Sequence, residues 1–429
     1  MTGWRRQGVA LFLLLIALAA AAGGSGGLNA PGQRQKPYLI LVSIDGLGHD
    51  LPGRTATPAL DRLATEGLRA AALVPVYPTL TFPNHYSIAT GLYPAQHGIV
   101  ANYFRGVDGR GWYRMSDRST VQDGSWYGGE PIWVAAEKAG MVSAAFFFVG
   151  TEADIQGISP TYWYPFDASV PGEARVDQVL DWLRMPPDTR PHLVTLYFED
   201  VDVTAHATGP GSRQTLAAVR RVDGYLGRLL DGIDRLPYGE RVHLVVVSDH
   251  GQRAVLPDAA TFVVSDHAHL DGLDMHDGGS YLQVWVRDGG QSRAREFRDR
   301  VNAVWRHGRA WLRDESPSHW RVTDDPRFAD VVLMAEPGHT VVSRPEQAAR
   351  LKAGKHGWDP LDPAMRGILF ASGKSLPAGI EVGPVAAVDV YPLMLAILGL
   401  PDRRGGTDVT RSVQAVVSDW LAPGAGPAD

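Results

Sequence analysis

The sequence predicts an α/β fold: a mostly parallel central sheet with helices on both faces, carrying an inserted subdomain. Three observations predict it. Apolar runs of strand length alternate with amphipathic stretches of helix length, the pattern of a parallel sheet covered on both sides. Aspartates 45, 202 and 249 follow such runs closely, and parallel sheets collect ligands beyond their carboxyl ends. The length of 429 residues suits one large α/β domain with an insertion, or two domains.

Residues 1–27 are expected to be an export signal. Arg5 and Arg6 supply the charge, and the fourteen apolar residues 9–22 precede a Gly-rich stretch. Fourteen is short of the about 20 residues a membrane span needs. The expectation is therefore a periplasmic or secreted protein with no stable span after signal removal; the alternative is an uncleaved N-terminal anchor. Residues 28–36 are expected as a linker. Strands are expected over 38–44, 141–148, 192–198, 242–247 and 367–371. Thr57 and Pro58 open a helix as N-cap and first helical residue. Further helices are expected over 212–230 and 388–398. Residues 256–350 are richer in Arg, Asp and Trp, with shorter apolar runs, and are expected as a partly antiparallel insertion. The core is then 37–255 and 351–415, and 416–429 a tail.

Hydrophobic content is 45% and charged content 21%, with a formal charge of −6. That is ordinary for a globular protein, and no Lys/Arg run marks a nucleic-acid track. Attraction for phosphate must be local. The absence of cysteine excludes disulfides and thiolate metal ligands.

Six N/O ligands stand out: Asp45, Asp202, His206, Asp249, His250 and His356. Asp202 and His206 are four apart and share a face if helical. Alone, such a pair is more often a surface hydrogen bond, and His356-Gly357 alone says little; the set of six is far more specific than its parts. Six such ligands suit two adjacent zinc ions, three each, with open positions for a substrate oxygen. Asp266, His267, His269, His276 and Asp277 look similar but fall in the expected insertion, and are read as surface or structural residues. Thr81 precedes Pro83, which suits the first turn of a helix. A hydroxyl at or beside that N-cap sees the positive end of the helix dipole. A plain capping threonine is the commoner use, and a nearby metal would make it a nucleophile. Together these features point to two-metal phosphoryl transfer.

Asp45, the run Thr81-Phe82-Pro83-Asn84-His85, Asn102, the segment from Asp202 through His206 to Gly209-Pro210, Asp249-His250-Gly251 and His356-Gly357 resemble the alkaline phosphatase superfamily. Within it the chain resembles the nucleotide pyrophosphatase/phosphodiesterase family, over about residues 38–412. The resemblance implies an alkaline phosphatase-like fold. It implies one zinc on Asp202, His206 and His356, and another on Asp45, Asp249 and His250 with Thr81 beside it. It further implies that Asn102 donates to a phosphoryl oxygen, and that Phe82 and Phe166 sandwich a nucleobase. The family usually has tyrosine at the latter position, and its Trp-Pro-Gly segment appears here as Phe148-Val149-Gly150.

The implied reaction is hydrolysis of nucleotide phosphodiesters to nucleoside 5′-monophosphates in two in-line displacements through a phosphothreonine. Competing expectations are a phosphomonoesterase, a phosphonate hydrolase, a choline or lipid phosphodiesterase, and a non-catalytic periplasmic zinc-binding protein. Alkaline phosphatases of that superfamily typically use a serine and an arginine that grips the phosphate dianion; neither stands beside Thr81, which Phe82 follows, and that favours a diester. The oligomeric state is not legible.

Overall fold

The computed structural model describes residues 28–107, 109–256, 261–287, 290–406 and 408–422. The expected export signal lies outside them, as does the chain from 423 onward. No helix among the described residues is long and apolar enough to cross a membrane.

The central sheet has eight strands: β1 (Tyr38–Ile44), β2 (Gly67–Ala70), β3 (Ser143–Phe146), β4 (Tyr162–Tyr164), β5 (Leu193–Phe198), β6 (Val242–Val247), and, later in the chain, Leu369–Ser372 and Ile380–Val382. Their order across the sheet is Ile380–Val382, β2, Leu369–Ser372, β6, β1, β5, β3, β4. β1 runs parallel to both β5 and β6, and β3 runs parallel to β5 and β4. Leu369–Ser372 is antiparallel to β6 and β2.

Side-chain alternation divides the core in two. Leu39 and Leu41 join one apolar cluster, and Tyr38, Ile40, Val42 and Ile44 the other. Each strand residue thus packs on the face its period of two dictates. Helices α1 (Pro58–Glu66) and Arg213–Asp234 cover the second face, while α2 (Thr81–Thr90) and Val390–Leu398 cover the first. Ser212 caps Arg213–Asp234 by accepting from the Thr215 N–H. The expected stop at 230 falls a turn early, because Ile233 is still buried.

A separate antiparallel sheet is built from Leu273–Asp277, Tyr281–Val286, Val331–Ala335 and Gly308–Leu312, in that order. One face holds its own apolar cluster. The other, through Tyr281, Trp285, Val332 and Met334, packs into the main core.

Two terminal segments differ from expectation. The segment read as a linker is docked at its start: Asn29 is buried, its side chain donating to the carbonyls of Pro187 and Arg190 and accepting from the Val142 N–H. The segment read as a tail continues a helix, Val413–Leu421, whose Val416, Val417 and Trp420 enter the main core. In both places burial outweighs the polar or Gly-rich context by which the sequence was read.

Candidate active site

β1, β5 and β6 are neighbours in register, with Ile44 opposite Phe198 and Ser43 opposite Val247. Their carboxyl ends therefore open on one spot. Asp45 follows β1, and Asp249 and His250 follow β6. The helix after β5, Asp200–Thr208, carries Asp202 and His206 on one face, with His206 Nε2 3.5 Å from Asp202 Oδ2. Gly46 adopts φ +69°, and a Cβ there would sit 2.9 Å from the Asp202 Cα, so only glycine admits this approach of β1 to the helix.

His356 arrives from far along the chain. The short strand Gly354–Lys355 pairs with Arg253–Ala254, just past His250, and His356 then stacks on His250 at 3.8 Å between ring centroids. Asp202, His206 and His356 form one group of converging donor atoms. Asp45 converges both with Asp202 and His250, and with His85 and Asp249. His250 Nε2 lies 3.1 Å from Asp249 Oδ2 and 3.7 Å from Asp45 Oδ1. The structure thus brings all six expected ligands together.

The hydrogen bonds fix the state of the imidazoles. Nδ1 of His206 faces the Gly354 carbonyl at 2.7 Å, that of His250 the Gly251 carbonyl at 3.1 Å, and that of His356 the Thr79 carbonyl at 2.8 Å. A carbonyl only accepts, so each Nδ1 carries the proton and each Nε2 presents a lone pair. Those lone pairs point at carboxylate oxygens, and lone pair against carboxylate is repulsive unless a cation or proton lies between. Burial drives His250 and His356 well below the ordinary imidazole range, which keeps them neutral. Burial, and then the neighbouring Asp249 charge, pushes the Asp45 carboxyl well up; burial likewise raises Asp249 and Asp202. Asp45 Oδ1 and Asp249 Oδ2 are buried without a hydrogen-bond partner among the described residues. Three carboxylates and three neutral imidazole donors, with orphaned oxygens inside, fit a pair of divalent cations.

Thr81 is the first residue of α2, one position inside the cap, which is Leu80. The loop before it is pinned by the buried Asn84, whose amide accepts from the Val76 N–H at 2.7 Å and donates to the carbonyls of Pro78 and Leu80, each at 2.9 Å. His85 Nδ1 donates to the Thr81 carbonyl at 2.8 Å, and its Nε2 accepts from Ser43 Oγ at 2.8 Å. Thr81 Oγ1 is thereby held 3.5 Å from His250 Nε2. Asn102 Oδ1 accepts from the Phe82 N–H at 2.9 Å. With the oxygen so engaged, the amide nitrogen is left as a donor.

Phe82 packs edge-on against Tyr113, with 6.1 Å between centroids. Phe166 is 42% exposed, edge-on to Phe147 and Tyr197, and the Tyr197 hydroxyl donates to Asp45 Oδ2 at 2.6 Å. Beside the ligand set runs a cleft of about 240 Å³ whose lining includes Asn102, His206 and His356. His276, read from sequence as structural, lines this cleft and stacks on Tyr103 at 4.6 Å. Lys352 and Lys355 line it too and carry no motif. Sequence reasoning also missed Tyr197, and Gln252, which donates to the Asp202 carbonyl at 3.1 Å. A roomier hollow between helices 172–184 and 213–234 shares no residue with this site.

The family model for type I phosphodiesterase/nucleotide pyrophosphatase matches residues 39–359. A venom phosphodiesterase of Crotalus durissus collilineatus is 32% identical over 398 residues, covering 89% of this chain and 47% of that one. A pyrophosphatase/phosphodiesterase of Schizosaccharomyces pombe is 31% identical over 376 residues, covering 85% and 77%. The chain thus spans about half the length of the venom relative. The solved structure of murine ectonucleotide pyrophosphatase/phosphodiesterase 5 superposes with a TM-score of 0.81 at 25% identity, covering 90% of this chain and all of that one. The likeness confirms an alkaline phosphatase-like α/β fold. On the family match and the relatives together, the chain belongs to the type I phosphodiesterase/nucleotide pyrophosphatase family.

Proposed function

We propose that the chain hydrolyses nucleotide phosphodiesters and pyrophosphates to nucleoside 5′-monophosphates, with Thr81 as the nucleophile. The observation that carries this is the placement of Thr81 Oγ1, at the start of α2 and 3.5 Å from His250 Nε2, on the edge of the six-ligand cluster. Asp202, His206 and His356 would hold one zinc, and Asp45, Asp249 and His250 the other. When bound, the two ions supply Lewis acidity and lower the pKa of hydroxyl groups and water near them.

The chain's own residues do the rest. Thr81 Oγ forms a bond to phosphorus as the bond to the leaving oxygen breaks, and water then displaces Thr81 to release the monophosphate. The buried Asn84 and His85 hold the threonine so that little ordering remains at the moment of reaction. The Asn102 amide nitrogen donates to a non-bridging phosphoryl oxygen. Asn102→Ala is accordingly expected to lower kcat more than it raises KM, by about 2.7–4 kcal/mol in transition-state stabilisation, the range for oxyanion donors. Steady-state kinetics check this, and a change confined to KM would reassign Asn102 to ground-state binding.

Phe82 and Phe166 would take the base between them. Each stacking contact is worth roughly 1–3 kcal/mol on single strands. Phe82→Ala and Phe166→Ala should then weaken kcat/KM for a nucleotide diester about 5- to 150-fold. A small diester with no base should lose far less. Turnover of a nucleoside 5′-monophosphate p-nitrophenyl ester by the purified protein tests the whole reading. Equal losses on both substrates would make the rings structural and favour a choline or lipid phosphodiester.

A further inference from the structure

One end of the separate antiparallel sheet gathers two imidazoles and a carboxylate that share no residue with the active site. One nitrogen each of His307 and His339 and one carboxylate oxygen of Glu336 lie within 4.8 Å of one another.

The backbone builds this convergence. Gly308–Leu312 pairs antiparallel with Val331–Ala335, Gly308 opposite Ala335. The next pair outward is His307 and Glu336, where the Glu336 N–H donates to the His307 carbonyl at 2.9 Å. Residues so opposed bring their side chains together. Glu336-Pro337-Gly338-His339 then turns, closed by the His339 N–H donating to the Glu336 carbonyl at 2.9 Å. Proline second and glycine third, with Gly338 at φ +85°, make it a type II turn. The turn is itself tied down. The Gly338 carbonyl accepts from the Leu256 N–H at 2.8 Å, in the segment that follows Arg253–Ala254. Beyond His339 the chain enters Thr340–Val342, which pairs with Thr261–Val263.

The side chains suit an ion between them. His307 Nδ1 lies 3.2 Å from Glu336 Oε2. A tetrahedral zinc with ligands at about 2.0 Å separates them by about 3.3 Å. The His339 ring lies 4.1 Å from that of His307, at 12°. Its Nδ1 is buried with no hydrogen-bond partner among the described residues, and a nitrogen so placed has a proton or a lone pair to satisfy. The side chains of His307 and Glu336 are 59% and 56% exposed, so the His307 ring is free to turn out of the stack and onto a shared ion. Two imidazoles with one carboxylate are a donor set for a borderline divalent ion such as zinc, whereas calcium and magnesium take oxygen donors.

We propose that His307, Glu336 and His339 form a further metal site, at which zinc or a like transition-metal ion braces this sheet and takes no part in the hydrolysis. An ion there cross-links the start of Gly308–Leu312, the end of Val331–Ala335 and the turn into Thr340–Val342. The six-ligand cluster is buried, and this site is open with three protein ligands, so it holds its ion more weakly. Dialysis against metal-free buffer empties it first.

Equilibrium dialysis of the full chain against zinc tests this. At saturation the wild type should hold one zinc more per chain than the double variant His307→Gln with His339→Gln. That difference does not depend on how many ions the buried cluster takes, so its failure and the failure of the hydrolytic reading are distinguishable. Zinc added to dialysed protein should raise the Tm of the wild type more than that of the variant, while the variant's turnover stays that of the wild type. His307→Gln alone, at an exposed position, should weaken this site roughly tenfold or more, since even a residue behind a ligand is worth that much; it decides the comparison if the double variant does not fold. Equal zinc content in wild type and variant overturns the site. Calcium bound there as well as zinc overturns the donor-set argument, and an extra zinc with no difference in Tm overturns the bracing role.

Discussion

Thr81→Ala is expected to reduce turnover of a nucleotide diester roughly a thousandfold or more, with folding and metal content intact. The hydroxyl makes no contact that the fold depends on. The loop and the first turn of α2 are held by Asn84 and His85 through backbone groups, and these survive the substitution. What is lost is the hydroxyl of the first residue of that helix, placed 3.5 Å from His250. Thr81→Ser keeps the oxygen in place and should retain much of the rate, at the cost of one more populated rotamer. Circular dichroism and elemental analysis establish that the alanine variant is folded and loaded. Acid quenching with labelled substrate then asks whether a phosphothreonine accumulates in the parent protein and not in the variant. Near-normal rates in Thr81→Ala would replace the covalent scheme with direct attack by water.

Most of this arrangement was legible from strand ends. The apolar run 38–44 and the Val-rich run 242–247 coincide with observed strands, because strands buried on both faces leave little choice of residue. An aspartate placed directly after such a strand has one destination, the carboxyl edge of the sheet. Asp202 and His206 were readable through their spacing of four, which the helix Asp200–Thr208 confirms.

Residues with no local signature were not legible. Lys352 and Lys355 look like ordinary surface lysines, and only the pairing of Gly354–Lys355 with Arg253–Ala254 carries them to the cleft. His276 sits in a second sheet whose docking on the main core is a long-range event, so its spacing from any strand end of the central sheet says nothing. Tyr197 reads as one more aromatic strand residue, and its hydrogen bond to Asp45 becomes visible only once β1 and β5 are paired. The docked helix Val413–Leu421 was missed because its apolar face is short and flanked by polar and Gly/Pro-rich sequence.

Removal of metal should abolish activity, and zinc should restore it. Elemental analysis of the active protein should find about two zinc ions per chain, the number that six N/O ligands with no thiolate can hold three by three. The physical ground is the state of the cluster without cations. Asp45 and Asp249 keep buried oxygens with no hydrogen-bond partner among the described residues, and the three Nε2 lone pairs face carboxylates at 3.1 to 3.9 Å. Chelation should therefore lower the melting temperature as well as the rate. A ligand present at a hundred times its dissociation constant stabilises the folded state by about 2.7 kcal/mol, and two ions on coupled sites would exceed that. The two losses separate the roles of the residues. His206→Ala and His250→Ala should each reduce zinc content and melting temperature along with turnover, whereas Thr81→Ala should reduce turnover alone. An active, metal-free preparation would remove the two-metal reading altogether, and the buried carboxylates would then need protons where cations are expected.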